Sequence, residues 1–137
     1  MFKISFYLIE KKPLRQADLA CRLCQQIYQK HRIWILCADQ QNSEKFDLQL
    51  WNSAPEQFIP HGIDQQFAPI CISTQLPNPA FDVCMNFSGS PLNVTELSHT
   101  ALHIIEIIGD NEQDKQSARE NYKYYRELGY TPTVHKL

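Results

Sequence analysis

The run Lys115-Gln-Ser-Ala-Arg119-Glu-Asn-Tyr122-Lys123-Tyr-Tyr-Arg126-Glu-Leu-Gly129-Tyr130 gathers the side chains of this sequence best suited to recognition. At about 100° per residue, a helix through it stacks Lys115, Arg119, Tyr122, Lys123 and Arg126 within an arc of roughly 100°. Cations around an aromatic ring suit a partner that is both acidic and apolar. Arg119 and Lys123 can hold carboxylates, while Tyr122 offers an apolar face beside them. The same spacing is also that of an ordinary solvated helix face, so the choice falls to the fold and to the rest of the chain.

Elsewhere the chemistry-bearing residues point away from catalysis. A phosphate cradle needs glycines after the first strand so that backbone N–H groups approach the phosphate. Here that turn reads Glu10-Lys-Lys-Pro13-Leu-Arg15, and the glycines of the chain stand at 62, 89, 109 and 129. Cys21-x-x-Cys24 falls mid-helix on an apolar stripe, whereas redox pairs sit at a helix N-terminus where the thiol pKa is lowered. It lacks the second ligand pair that a structural zinc site requires. His99 and His103 are four apart without the glutamate of a His-Glu-x-x-His helix, and the segment from 101 reads as strand. There is no Gly-x-Ser-x-Gly elbow. The reading is therefore no catalytic residues, no metal ligands and no cofactor.

The elements that must position the basic stripe follow from periodicity. Residues 3–9 form a strand, and Pro13 suits the first turn of a helix reaching about Lys30. Leu19, Cys21, Leu23, Cys24, Ile27 and Tyr28 form its apolar stripe. Ile33-Trp-Ile-Leu-Cys37-Ala38 reads as a strand buried on both faces. A second helix, capped by Asn42 or Ser43, runs to Leu50 or Trp51. The stretch from Ala54 to Gly62, with prolines 55 and 60, reads as loop. Residues 68–73, 81–86 and 101–108 are further strands, with a weak pattern over 88–100. Gly109-Asp110-Asn111 interrupts the chain before a closing helix over about 112–128 that ends at Gly129. This alternation predicts one α/β domain over 1–137, a Rossmann-like, mostly parallel sheet flanked by helices and lacking a glycine-rich phosphate loop.

Composition narrows the partners. A chain of 137 residues that is 43% hydrophobic and 20% charged buries an ordinary core. Its formal net charge of -2 argues against broad nucleic-acid binding. No stretch has the apolar length of a membrane span. Five cysteines without a recognisable signal segment read as reduced thiols in the cytoplasm. Trp51 and Phe58 flank a polar, proline-bearing segment, either covering the core edge or standing out as anchors for a protein partner.

Four pieces, in order along the chain, carry a resemblance. They are Phe6-Tyr7-Leu8; Leu36-Cys37-Ala38; Leu50-Trp51-x6-Phe58-x-Pro60-His61; and Ala118-Arg119-Glu120-x-Tyr122-Lys123-x-Tyr125-Arg126-x-x-Gly129. Together they resemble the chi subunit of bacterial DNA polymerase III, a clamp-loader accessory protein. The resemblance implies a Rossmann-type domain without enzymatic activity, bridging the clamp loader, through the psi subunit, to single-stranded-DNA-binding protein. That protein would be gripped by its acidic, phenylalanine-ended C-terminal tail, so that DNA is met only indirectly. It implies Arg119 as the central tail-binding cation, with Lys115, Tyr122 and Lys123 beside it and Ile108 lining the apolar part. Trp51 and Phe58 match positions associated with psi and, in some bacteria, with an alternative helicase-like repair partner. The segment after His61, residues 88–100 and the C-terminal Val134-His135-Lys136-Leu137 depart from the family pattern. Two other readings stay open from the residues: an α/β enzyme acting on a nucleotide or phosphate ester, and direct single-stranded DNA binding through Tyr122, Tyr124 and Tyr125.

Overall fold

A computed structural model describes residues 3–9, 15–53, 59–75, 81–93 and 103–136. In chain order the elements are β1 (Lys3–Leu8), α1 (Gln16–Ile27), β2 (Ile33–Cys37), α2 (Gln40–Ser53), β3 (His61–Ile63), β4 (Ile70–Ser73), β5 (Val83–Phe87), β6 (His103–Ile108), α3 (Glu112–Glu127) and β7 (Thr133–Lys136). Among the described residues the strands form one sheet in the order β3-β4-β2-β5-β6-β1-β7. Every neighbouring pair is parallel.

Strand alternation splits the core into two layers. Ile33, Ile35 and Cys37 of β2, with Met85, Ile105 and Ile107, pack against α1 and α2 through Cys21, Cys24, Phe46 and Leu50. Ile4 and Phe6 of β1, with Trp34, Cys84, Ile104 and Ile108, pack on the opposite face against Tyr125, Tyr122 and Ala118 of α3. All of β2 is buried, as a strand covered on both faces must be. The five cysteines are free and buried. Cys21 and Cys24 lie on the core stripe of α1, where burial pushes the Cys21 thiol up to about 11 and Cys24 up as well. Both are apolar packing groups rather than poised thiolates.

The structure departs locally from the sequence expectation. Helix α2 begins at Gln40, and the acceptor at its start is Asp39, whose Oδ1 takes the Asn42 N–H at 2.8 Å. Ser43 is buried inside the helix and donates back to the Asp39 carbonyl. Residues 61–63, of which His61 and Gly62 were expected as loop, form the short edge strand β3 against β4. Residues 133–136, for which no element was expected, form β7 at the other edge. Both are short strands held by a neighbour outside themselves, β3 by β4 nine residues on and β7 by β1 at the far end of the chain. Pro13 and residues 94–100 lie outside the described residues.

Candidate binding groove on the last helix

Helix α3 owes its position to residues on its inner face. Asn111 caps it, accepting the Asp114 N–H at 2.8 Å, and Glu112 and Asp114 occupy its first turn, where negative charge suits the helix dipole. At its end Gly129 takes φ 94°, and the Tyr130 N–H returns to the Tyr125 carbonyl at 3.1 Å. Glycine adopts that left-handed conformation without steric cost. Facing the sheet, Tyr125 is fully buried and Tyr122 meets Phe6 edge-on at 5.6 Å between centroids.

A buried polar cluster ties this helix to the strands beneath it. Asn121 Nδ2 donates to Glu106 Oε1 at 2.8 Å, and the Tyr125 hydroxyl accepts the Leu92 N–H at 2.9 Å. Burial raises the Glu106 pKa, with the hydrogen bond from Asn121 and the nearby polar groups of Tyr125 and Asn86 acting against it. Burial and the facing Glu106 carboxyl raise the Tyr125 hydroxyl.

Between α3 and the outer strands lies a groove of about 390 Å³. Phe6 and Leu8 of β1, Ile108 of β6 and Val134 of β7 line it from the sheet; Lys115, Ala118, Arg119 and Tyr122 line it from the helix. Lys115, Arg119, Tyr122 and Ile108 thus meet in one place, although Ile108 precedes the helix on a separate strand. Lys123 does not line the groove: one residue past Tyr122, it is turned about 100° further round the helix and is exposed to solvent.

The electrostatics of the groove are one-sided, since none of its lining residues is acidic. Lys115 Nζ stands 3.5 Å from Asp110 Oδ1, outside the lining. Arg119 is exposed, and its Nη2 donates to Gln116 Oε1 at 3.2 Å. Among the described residues Arg119 has no carboxylate partner. An apolar floor beside a guanidinium and an ammonium can hold an apolar side chain and a carboxylate together.

Sequence reading missed Phe6, Leu8, Ala118 and Val134 as groove residues. The alternation Phe6-x-Leu8 carried a signal for a shared face. Val134 carried none, because its place depends on β7 joining β1.

Trp51 lies in the last turn of α2, 53% exposed, with its ring edge-on to His61 at 5.2 Å. His61 is held from below by the Ile59 carbonyl at 2.7 Å and Asp47 Oδ1 at 3.3 Å. Leu48, one turn earlier, is also exposed. Phe58 lies outside the described residues.

A second cavity of about 450 Å³ opens among Cys37, Asn86, Phe87, Glu106 and Asn121, at the carboxyl ends of central strands where α/β enzymes bind ligands. Several of its polar side chains are engaged with the protein itself, whereas the buried Glu106 Oε2 has no hydrogen-bond partner among the described residues. Gln16 Nε2 donates to the Ile107 carbonyl, Asn86 Nδ2 to the Ser90 carbonyl, and Asn121 to Glu106.

Comparison with known proteins then fixes the family. The family model described as DNA polymerase III chi subunit, HolC, matches residues 1–133. The chain belongs to the DNA polymerase III chi subunit family. It is 29% identical to the DNA polymerase III subunit chi of Pseudomonas aeruginosa over 143 aligned positions, covering 100% of this chain and 98% of that one. It is 25% identical to the subunit chi of Haemophilus influenzae, with 91% and 90% of the two chains covered. Among solved structures, the C-terminal domain of the DEAD-box protein Dbp5 superposes with a TM-score of 0.67 over 98% of this chain and 90% of that one. At 14% identity that likeness concerns the fold alone. Membership of the chi family implies protein–protein interaction with components of the polymerase III holoenzyme.

Proposed function

We propose that this chi-family chain is a non-catalytic replication adaptor that grips the acidic C-terminal tail of single-stranded-DNA-binding protein in the α3 groove. A second partner, the psi subunit of the clamp loader or an alternative helicase-like protein, docks around Trp51 and Phe58. The observation that carries the tail reading is one juxtaposition. Arg119 and Lys115 stand over a floor of Phe6, Leu8, Ile108 and Val134, with Tyr122 closing the side.

A tail with several carboxylates and a terminal phenylalanine is complementary to that surface. The ring enters the apolar floor, and Arg119 takes a carboxylate in its planar fork. Lys115 exchanges Asp110 for the ligand, and Lys123 adds longer-range attraction from outside the groove. Charge-assisted hydrogen bonds of roughly 1.5–3 kcal/mol, with one buried ring, give affinity on the order of micromolar, weakened by salt. A multimeric partner presenting several tails raises occupancy through effective concentration.

The test is a titration of the protein into a labelled acidic peptide ending in Pro-Phe, at low and moderate salt, with wild type and Arg119→Ala. Saturable, salt-weakened binding is expected, reduced about tenfold or more in the variant. Equal binding by the two proteins, or binding by neither, removes the tail reading. A parallel titration with oligo-dT is expected to show little; tight binding there would favour direct recognition of DNA through Tyr122 and Tyr124, since Tyr125 is buried.

A further inference from the structure

The apolar floor of the groove runs out to an open edge of the sheet. β7 stands last in the strand order. It pairs with β1 from Ser5↔Thr133 to Leu8↔Lys136, and all four of its residues are exposed. Alternation turns Val134 to the groove side, where it lines the groove beside Phe6 and Leu8 while remaining 50% exposed. Lys136, two residues on, shares that side of the strand. Thr133 and His135 turn the other way, and His135 stacks on the Tyr7 ring at 4.9 Å.

We propose that an acidic peptide held in the groove continues as an added strand along the outer edge of β7, with its carboxylates beside Lys136. This inference rests on the tail-binding reading and specifies how the segment before the terminal aromatic is held. An edge strand offers a row of unpaired N–H and C=O groups, and extended peptides bind such edges by main-chain hydrogen bonds. Among the described residues no strand but β1 pairs with β7. The groove reaches this edge at Val134, so a chain leaving the groove there meets the strand directly.

Charge selects the occupant. A lysine on an edge strand discourages pairing with basic or apolar strands, whereas an acidic strand gains from it. Lys115 and Arg119 on the helix and Lys136 on the edge place positive charge on both sides of the apolar floor. Main-chain pairing also tolerates variation in sequence, which suits a segment recognised by its charge and its terminal ring.

The experiment uses the full chain and three peptides: the acidic peptide ending in Pro-Phe, and two versions N-methylated at alternate upstream residues, offset by one. Amide exchange at residues 133–136 is followed by NMR with and without peptide. One N-methyl series is expected to bind about fivefold or more weakly and the other nearly normally, because only one register faces β7. Alternate amides in 133–136 should exchange about tenfold more slowly in the complex, and Lys136→Glu should weaken binding about fivefold at low salt. Suppose the unmodified peptide binds with the expected dependence on Arg119, yet both methylated series bind equally and the amides are unchanged. The peptide then crosses the groove without joining the sheet, and this inference fails while the tail reading stands. If no peptide binds, both fail.

Discussion

Replacing Tyr125 by phenylalanine isolates the interaction that fixes the last helix to the sheet. The substitution keeps the ring, and with it the edge-on contact to Phe6 at 6.2 Å. It removes the hydroxyl, which accepts the Leu92 N–H at 2.9 Å in a setting where Tyr125 is 0% and Leu92 6% exposed. A backbone donor left without an acceptor at such a site costs about 1–3 kcal/mol. Glu106 also loses a neighbouring hydroxyl that favours its charged form. At neutral pH the two losses together place the expected destabilisation at about 2–3 kcal/mol. With a urea slope of about 2 kcal/mol/M, the unfolding midpoint falls by roughly 1 M. The loss should grow with pH: the raised pKa of Glu106 supports the fold below the unfolded value and is lost as pH rises through the folded one. Without the Tyr125 hydroxyl that folded value rises further. Because the ring still positions α3, affinity for the acidic peptide should stay within about twofold. A midpoint shift equivalent to less than about 0.5 kcal/mol, or one independent of pH, would refute the account of this cluster.

The same linkage gives Glu106→Gln the opposite sign. Its stability relative to wild type should rise as pH climbs above the ordinary carboxylate range, read from urea curves at several pH values, whereas parallel curves would mean that Glu106 ionises at little cost. Gly129→Ala places a Cβ at φ 94° where no atom lies within 4 Å, so only backbone strain is added. A loss of about 1 kcal/mol in thermal or urea unfolding is expected. Trp51→Ala should change stability by less than about 1 kcal/mol, since half of the ring faces solvent. It should weaken association with a psi-type partner about tenfold or more by calorimetry, as loss of an aromatic anchor does.

The basic stripe on α3 was legible in the sequence because helical spacing is a local property. Once residues 112–127 are helical, Lys115, Arg119 and Tyr122 must share a face. The strands β1, β2, β4, β5 and β6 were legible for a similar reason, each being a short apolar or β-branched run between polar breaks. The edge strands β3 and β7 were not, because four residues or fewer with ordinary composition take their conformation from the neighbour they pair with.

What the sequence determined by itself was therefore an α/β chain with a cationic, aromatic helix face and no glycine cradle after its first strand. Only the tertiary structure decided that this face borders a groove. The floor comes from Phe6, Leu8, Ile108 and Val134, which lie on three strands and become neighbours through the β6-β1-β7 order. It also turned Lys123 out of that groove and drew Val134 in. Spacing along a helix sets which side chains point together, but it does not say what lies opposite them. That is set by strand pairing between segments more than a hundred residues apart, such as Ser5 with Thr133.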